Sequence, residues 1–118
     1  MDLNGVLIGS EDPQRLADYY TKLFGEPAWN MGGFTGWQIG SGWMSVGAHD
    51  QVKGNSAHPG RVIWNIESAD VEADFERFKA AGATVVQAPY HPSEGMEGWI
   101  ATLSDPDDNY FQLLSPMG

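Results

Sequence analysis

The most constraining feature of this chain is an internal repeat. Leu16, Tyr20 and Leu23 step by four and then three residues along one face of a helix, and Val71, Phe75 and Phe78 do the same. A shift of 55 residues superimposes the two stripes (16 to 71, 20 to 75, 23 to 78). Each stripe has matching ends. Asp12 serves as N-cap with Pro13 at the first helical position, and Gly25 stands where a left-handed residue is wanted. Asp70 caps the second helix and Gly82 stops it.

The surroundings repeat as well. A short β-prone run precedes each helix: Val6-Leu7-Ile8 in one case, Val62-Ile63-Trp64-Asn65-Ile66 in the other. After the first helix, Pro27-Ala28-Trp29, then 34–39, a Gly40-Ser41-Gly42 turn and 43–48 read as three antiparallel strands. After the second, 83–88, then 98–104, the turn Asp105-Pro106-Asp107-Asp108-Asn109 and 110–115 read the same way. The fold class is therefore α+β: two βαβββ modules with curved mixed sheets around a concave groove. The 118 residues make one domain, with module 1 over about 1–49, an aperiodic Gly/Asn/Ser/Pro linker over 50–60, and module 2 over about 61–118. A four-stranded sheet with a helix on one face leaves its other face bare, so the sheets must be covered, and in so short a chain a homodimer completes the groove.

Composition excludes several functions. The formal charge of −10, from 16 acidic and 6 basic residues, repels phosphate backbones and anionic lipid, so neither nucleic acid nor membrane is an expected partner. No apolar run approaches the roughly 18 residues of a membrane span and no leader-like start is present, so the expected location is cytoplasmic. With no cysteine, thiolate ligands, disulfides and thiol nucleophiles are all excluded.

Two stretches carry a family resemblance. Gly5-Val6-Leu7-Ile8-Gly9-Ser10-Glu11-Asp12-Pro13, with Ala17-Asp18-Tyr19-Tyr20-Thr21-Lys22-Leu23-Phe24-Gly25, is similar to the opening strand and helix of the vicinal-oxygen-chelate superfamily, which includes glyoxalases, bleomycin-resistance proteins and ring-cleaving (extradiol) dioxygenases. Ser104-Asp105-Pro106-Asp107-Asp108-Asn109-Tyr110-Phe111-Gln112-Leu113 resembles its closing turn and strand, with Asp108 where the family usually has Gly. Asp108 and Asn109 tolerate the left-handed backbone this turn needs, and Pro106 fixes its first corner.

The resemblance also implies where a metal would be held: on one side chain near the start and one near the end of each module's sheet. These positions fall on Gly5, near Ser45, within Arg61-Val62-Ile63, and on Gln112. Glycine donates nothing, serine and arginine are poor ligands, and Gln112 replaces a Glu, so no metal and no cofactor are expected.

Other constellations reduce to ordinary structure. His49, His58 and His91 lack His-x-x-x-His spacing and read as exposed or turn histidines. Asp105, Asp107 and Asp108 lack the glycine and bidentate Glu of a calcium loop. No Gly-x-Ser-x-Gly elbow occurs, and Gly32, Gly33 and Gly36 are not followed by the Lys-Ser/Thr of a phosphate loop.

The tryptophans are the informative set. Trp37, Trp43, Trp64 and Trp99 lie in or beside the strands, where they either fill the core or line the concave side and stack on a flat ligand, with Asn65 and Gln112 supplying directional hydrogen bonds. The expected function is metal-free binding of a small molecule, as in bleomycin-resistance proteins, with sequestration of a planar or cationic aromatic compound as its form, and no catalytic residue is assigned. The alternatives are a glyoxalase-like lyase or isomerase with an irregular metal site, and a scaffold whose concave face contacts another protein.

Overall fold

The computed structural model describes residues 1–116. The chain divides into two compact units, one ending at Asn55 and the other starting at Ser56. Both follow the βαβββ plan. No helix among the described residues is long and apolar enough to cross a membrane.

The first unit runs β1 (Gly5–Ser10), α1 (Pro13–Phe24), β2 (Trp29–Met31), β3 (Phe34–Ile39) and β4 (Gly42–Ala48), with sheet order β1-β4-β3-β2. β1 lies parallel to β4, a pairing that needs the long crossover the intervening elements supply, and the remaining pairs are antiparallel hairpins. The Asp12 carboxylate accepts the Arg15 N–H at 3.2 Å, and Gly25 closes the helix with φ 85°. Below α1 lie Val6, Met44 and Trp37, neighbours across the sheet; Met44 and Trp37 are buried, as are Leu16, Tyr20 and Leu23 of the helix. Tyr20 meets Trp37 edge-on at 6.3 Å, and the Trp37 indole N–H donates to the Gly25 carbonyl at 2.9 Å. That bond satisfies both the buried indole and an end-of-helix carbonyl, tying α1 to β3.

The second unit runs β5 (Trp64–Glu67), α2 (Val71–Ala80), β6 (Thr84–Tyr90), β7 (Ile100–Ser104) and β8 (Tyr110–Leu114), ordered β5-β8-β7-β6. Phe78 of α2 packs on Phe111 at 6.3 Å, beside buried Ala101, Leu103 and Leu113. The Asp105–Asn109 turn is held from within. A buried Asp105 Oδ1 accepts the N–H groups of Asp107 and Asn109, each at 2.9 Å, and Asp108 adopts φ 64°, the left-handed corner expected of it.

Several boundaries differ from the sequence expectation. β2 covers Trp29–Met31 where Pro27-Ala28-Trp29 was expected, and β6 runs from Thr84 to Tyr90, past the expected end at 88. β5 begins at Trp64, not Val62, because Arg61 turns back to donate its N–H to the His58 carbonyl and Val62 is left exposed. β7 begins at Ile100, not Gly98; Trp99 just before it donates its N–H to the Ser115 hydroxyl at 2.8 Å. β6, an edge strand, is irregular: its pairing with β7 shifts register between Val85 and Gln87 and again between Gln87 and Tyr90. Such shifts, with Pro89 nearby, blunt an edge against further strand pairing.

Candidate functional site

Strand alternation decides which side chains of the first sheet leave the helix-packed core. One step from the Val6–Met44–Trp37 rung is the rung Leu7–Ser45–Gly36–Trp29, which points away from α1, as do Gly5, Trp43, Gly47, Phe34 and Met31. The floor of this open face is made of small residues: Gly5, Gly36, Ser45 and Gly47. Large rings lie over it. A Cβ on Gly36 would run into the Trp29 indole, and one on Gly47 into the Phe34 ring. Aromatic rings covering cross-strand glycines shield otherwise bare backbone and lie flat on the sheet. Both glycines are consequently buried, although the face they belong to is open.

A pocket of about 280 Å³ opens beside them, lined by Asn4, Gly5, Val6, Leu7, Trp29, Trp43 and Ser45. Its walls are indole and aliphatic, its polar groups are the Ser45 hydroxyl and the Asn4 amide, and no charged side chain lines it. Apolar walls with a few polar groups suit a small, flat ligand. Trp29 is 38% exposed and Leu7 57%, so the indole face is available to such a ligand.

The six residues expected to bind ligand are distributed differently. Trp43 lines the pocket. Trp37 does not reach it: alternation places it on the α1 side, where it is 2% exposed and its N–H is committed to Gly25. Trp64 is likewise turned to the helix side of the second sheet, beside Phe111 at 5.6 Å. Trp99 stands just before β7 with its ring 3.9 Å from that of His91, whose Nδ1 is 2.9 Å from the Gly98 carbonyl. Asn65 and Gln112 are register partners on the face of the second sheet away from α2. There the Gln112 amide donates to the Thr102 hydroxyl at 3.1 Å.

Sequence reasoning did not assign Trp29, Leu7 or Asn4 to a site. The signal for Trp29 is the pattern Trp29-x-Met31 opposite Phe34-x-Gly36, in which Trp29 faces Gly36 and Met31 faces Phe34. It becomes legible only once the register is known.

The family's metal positions fail a test of fit. A Cβ at Gly5 would collide with the Trp43 carbonyl and lie 3.0 Å from the Trp43 Cβ, so no ligating side chain fits there without moving backbone. Ser45 belongs to the pocket floor, Arg61 lies in a turn before β5, and Gln112 is engaged with Thr102. Among the described residues no three His, Cys, Asp or Glu side chains gather. These residues do not fit a divalent ion.

Residues 5–114 match the family of glyoxalase-like domains. No curated protein matches the chain. Among solved structures the fold is similar to that of a glyoxalase-related enzyme from Fulvimarina pelagi, with TM-score 0.76, 19% identity, and 100% of this chain and 93% of that one covered. A glyoxalase/bleomycin resistance protein/dioxygenase family enzyme from Burkholderia phytofirmans PsJN gives TM-score 0.76 at 22% identity, covering 99% and 100%. A glyoxalase/bleomycin resistance protein from Albidiferax ferrireducens T118 gives 0.74 at 17%, covering 97% and 98%. Likeness at these identities speaks for the fold. The repeated βαβββ plan, the closing Asp-Pro turn and the match over nearly the whole chain agree: this protein belongs to the glyoxalase-like family of the vicinal-oxygen-chelate superfamily.

Proposed function

We propose that this protein binds a small planar aromatic molecule without a metal, in the pocket between Trp29 and Trp43. The observation that carries this reading is the pocket: two indoles beside a floor of Gly5 and Ser45, at positions where the family's metal ligands would project. With no large side chain on its floor the pocket is open to a ring, and indole faces attract flat or cationic aromatics. The volume is close to the lower end of about 300 Å³ for small-molecule sites, which suits one or two fused rings. The charge of −10 favours neutral or cationic ligands over anions at long range.

The open face of the first sheet also supports a homodimer. Leu7, Trp29, Met31 and Phe34 are exposed side by side in the single chain, and each Å² of apolar surface left in water costs roughly 25 cal/mol. A second copy covering this face would wall the pocket. Sedimentation equilibrium at micromolar concentration is expected to give a dimer, and a well-folded monomer would overturn this part of the reading.

The binding test uses intrinsic tryptophan emission and thermal melting with a panel of one- and two-ring aromatics. A binder is expected to change the emission and raise the melting temperature in the native chain, and to do neither in Trp43→Ala. No response across neutral and cationic members would sink the proposal. Stoichiometric metal in the purified protein, coupled to turnover of hemithioacetals, would favour a lyase instead.

A further inference from the structure

On the second sheet, the register aligns Asn65, Gln112, Thr102 and Gln87 in one rung across all four strands, on the face away from α2. Every member is an uncharged hydrogen-bonding side chain. An amide or hydroxyl on an open sheet face ordinarily turns to water, but here one amide is fixed: Gln112 is half-buried and spends one N–H on the Thr102 hydroxyl, which is only 7% exposed. The Gln112 carbonyl and its second N–H are left to present an acceptor and a donor, with the exposed Asn65 amide adjacent on β5. A side-chain amide pairs two-fold with groups presenting the complementary edge, as Asn and Gln do with the hydrogen-bonding edge of adenine. A prefixed amide does so at lower entropic cost than a free one.

From this rung we infer that Gln112, oriented by Thr102 and flanked by Asn65, forms a binding site for an uncharged planar compound bearing a cis-amide edge, such as a lactam. Thr102 is a positioning residue and Gln112 and Asn65 are the contacting ones. The site stands on its own observation and does not depend on the tryptophan pocket. A ligand that lost either its N–H or its carbonyl would leave half of the amide edge unpaired, which is how such sites discriminate.

The test is an NMR titration of the full ¹⁵N-labelled chain with 2-quinolone and with N-methyl-2-quinolone, which keeps the ring and blocks the N–H. The side-chain amide signals of Gln112 and Asn65 are assigned by their loss in Gln112→Met and Asn65→Ala. 2-Quinolone is expected to shift both signals and to bind about tenfold more tightly than its N-methyl form, the scale of one hydrogen bond. Thr102→Val should erase that ratio, and Thr102→Ser, which restores the hydroxyl, should recover it; a merely structural role would not follow the hydroxyl. Gln112→Glu, which presents acceptors only, should transfer the preference to benzamidine. Equal shifts with both quinolones, shifts absent at millimolar ligand, or a ratio unchanged in Thr102→Val would each overturn the inference.

Discussion

On the face turned away from α1, the first sheet carries the rung Leu7–Ser45–Gly36–Trp29, whereas the equivalent rung of the second, turned away from α2, is Asn65–Gln112–Thr102–Gln87. The helix-side rungs are alike: Val6, Met44 and Trp37 in one unit, Trp64, Phe111 and Leu103 in the other. Duplicated architecture thus keeps its chemistry where a helix must be packed and varies it where none is. The first face is an aromatic platform over glycines and the second an array of amides, so one can stack on a ring and the other can read an edge.

The two helix sides are expected to be equivalent in their contribution to stability. Trp37→Ala and Phe111→Ala should each lower stability by about 3–5 kcal/mol, because each empties a fully packed site under a helix. Urea denaturation followed by circular dichroism measures this, and a loss below about 1 kcal/mol for either residue would show that its unit is not organised around it.

Next in size is the glycine floor of the first face. Gly36→Ala forces the Trp29 indole off its seat and should cost about 1–3 kcal/mol, with a red-shifted tryptophan emission as the ring enters water. Gly36→Ala in a Trp29→Ala background should cost less, since the ring it displaces is gone. Additive costs in that cycle would mean that the two residues do not touch.

Trp43→Ala should leave the melting temperature within a few degrees of the native value, yet weaken binding of a planar aromatic about tenfold, since base–aromatic stacking contributes roughly 1–3 kcal/mol. Trp64→Ala, on the helix side, should do the reverse. Fluorescence titration and calorimetry on both variants sharpen the division between faces.

The smallest effect is expected at Gln112. Gln112→Glu lies on the open face and should change stability by no more than about 0.5 kcal/mol. Calorimetric titration with zinc, nickel and manganese should show negligible binding, because Gly5 and Ser45 still contribute no ligand. Tight binding of any of the three would mean that another set of donors completes a metal centre.

The sequence by itself determined the elements and their order. Both helices were legible from their 4,3 stripes and from caps whose hydrogen bonds are local, such as Asp12 to Arg15 and Asp70 to Ala73. So was the left-handed corner at Asp108, because turn chemistry is written within a few residues. What the sequence left open was the side of the sheet each tryptophan takes. Period-two alternation says that Trp37 and Gln38 face opposite ways but not which of them meets the helix, and a displacement of one residue inverts the answer. The parallel β1–β4 and antiparallel β3–β4 and β2–β3 pairings decided it, placing Trp37 under α1 and Trp29 and Trp43 on the open face. Only the tertiary structure could make that choice. It depends on contacts between strands far apart in sequence, and on which glycine lies beneath which ring.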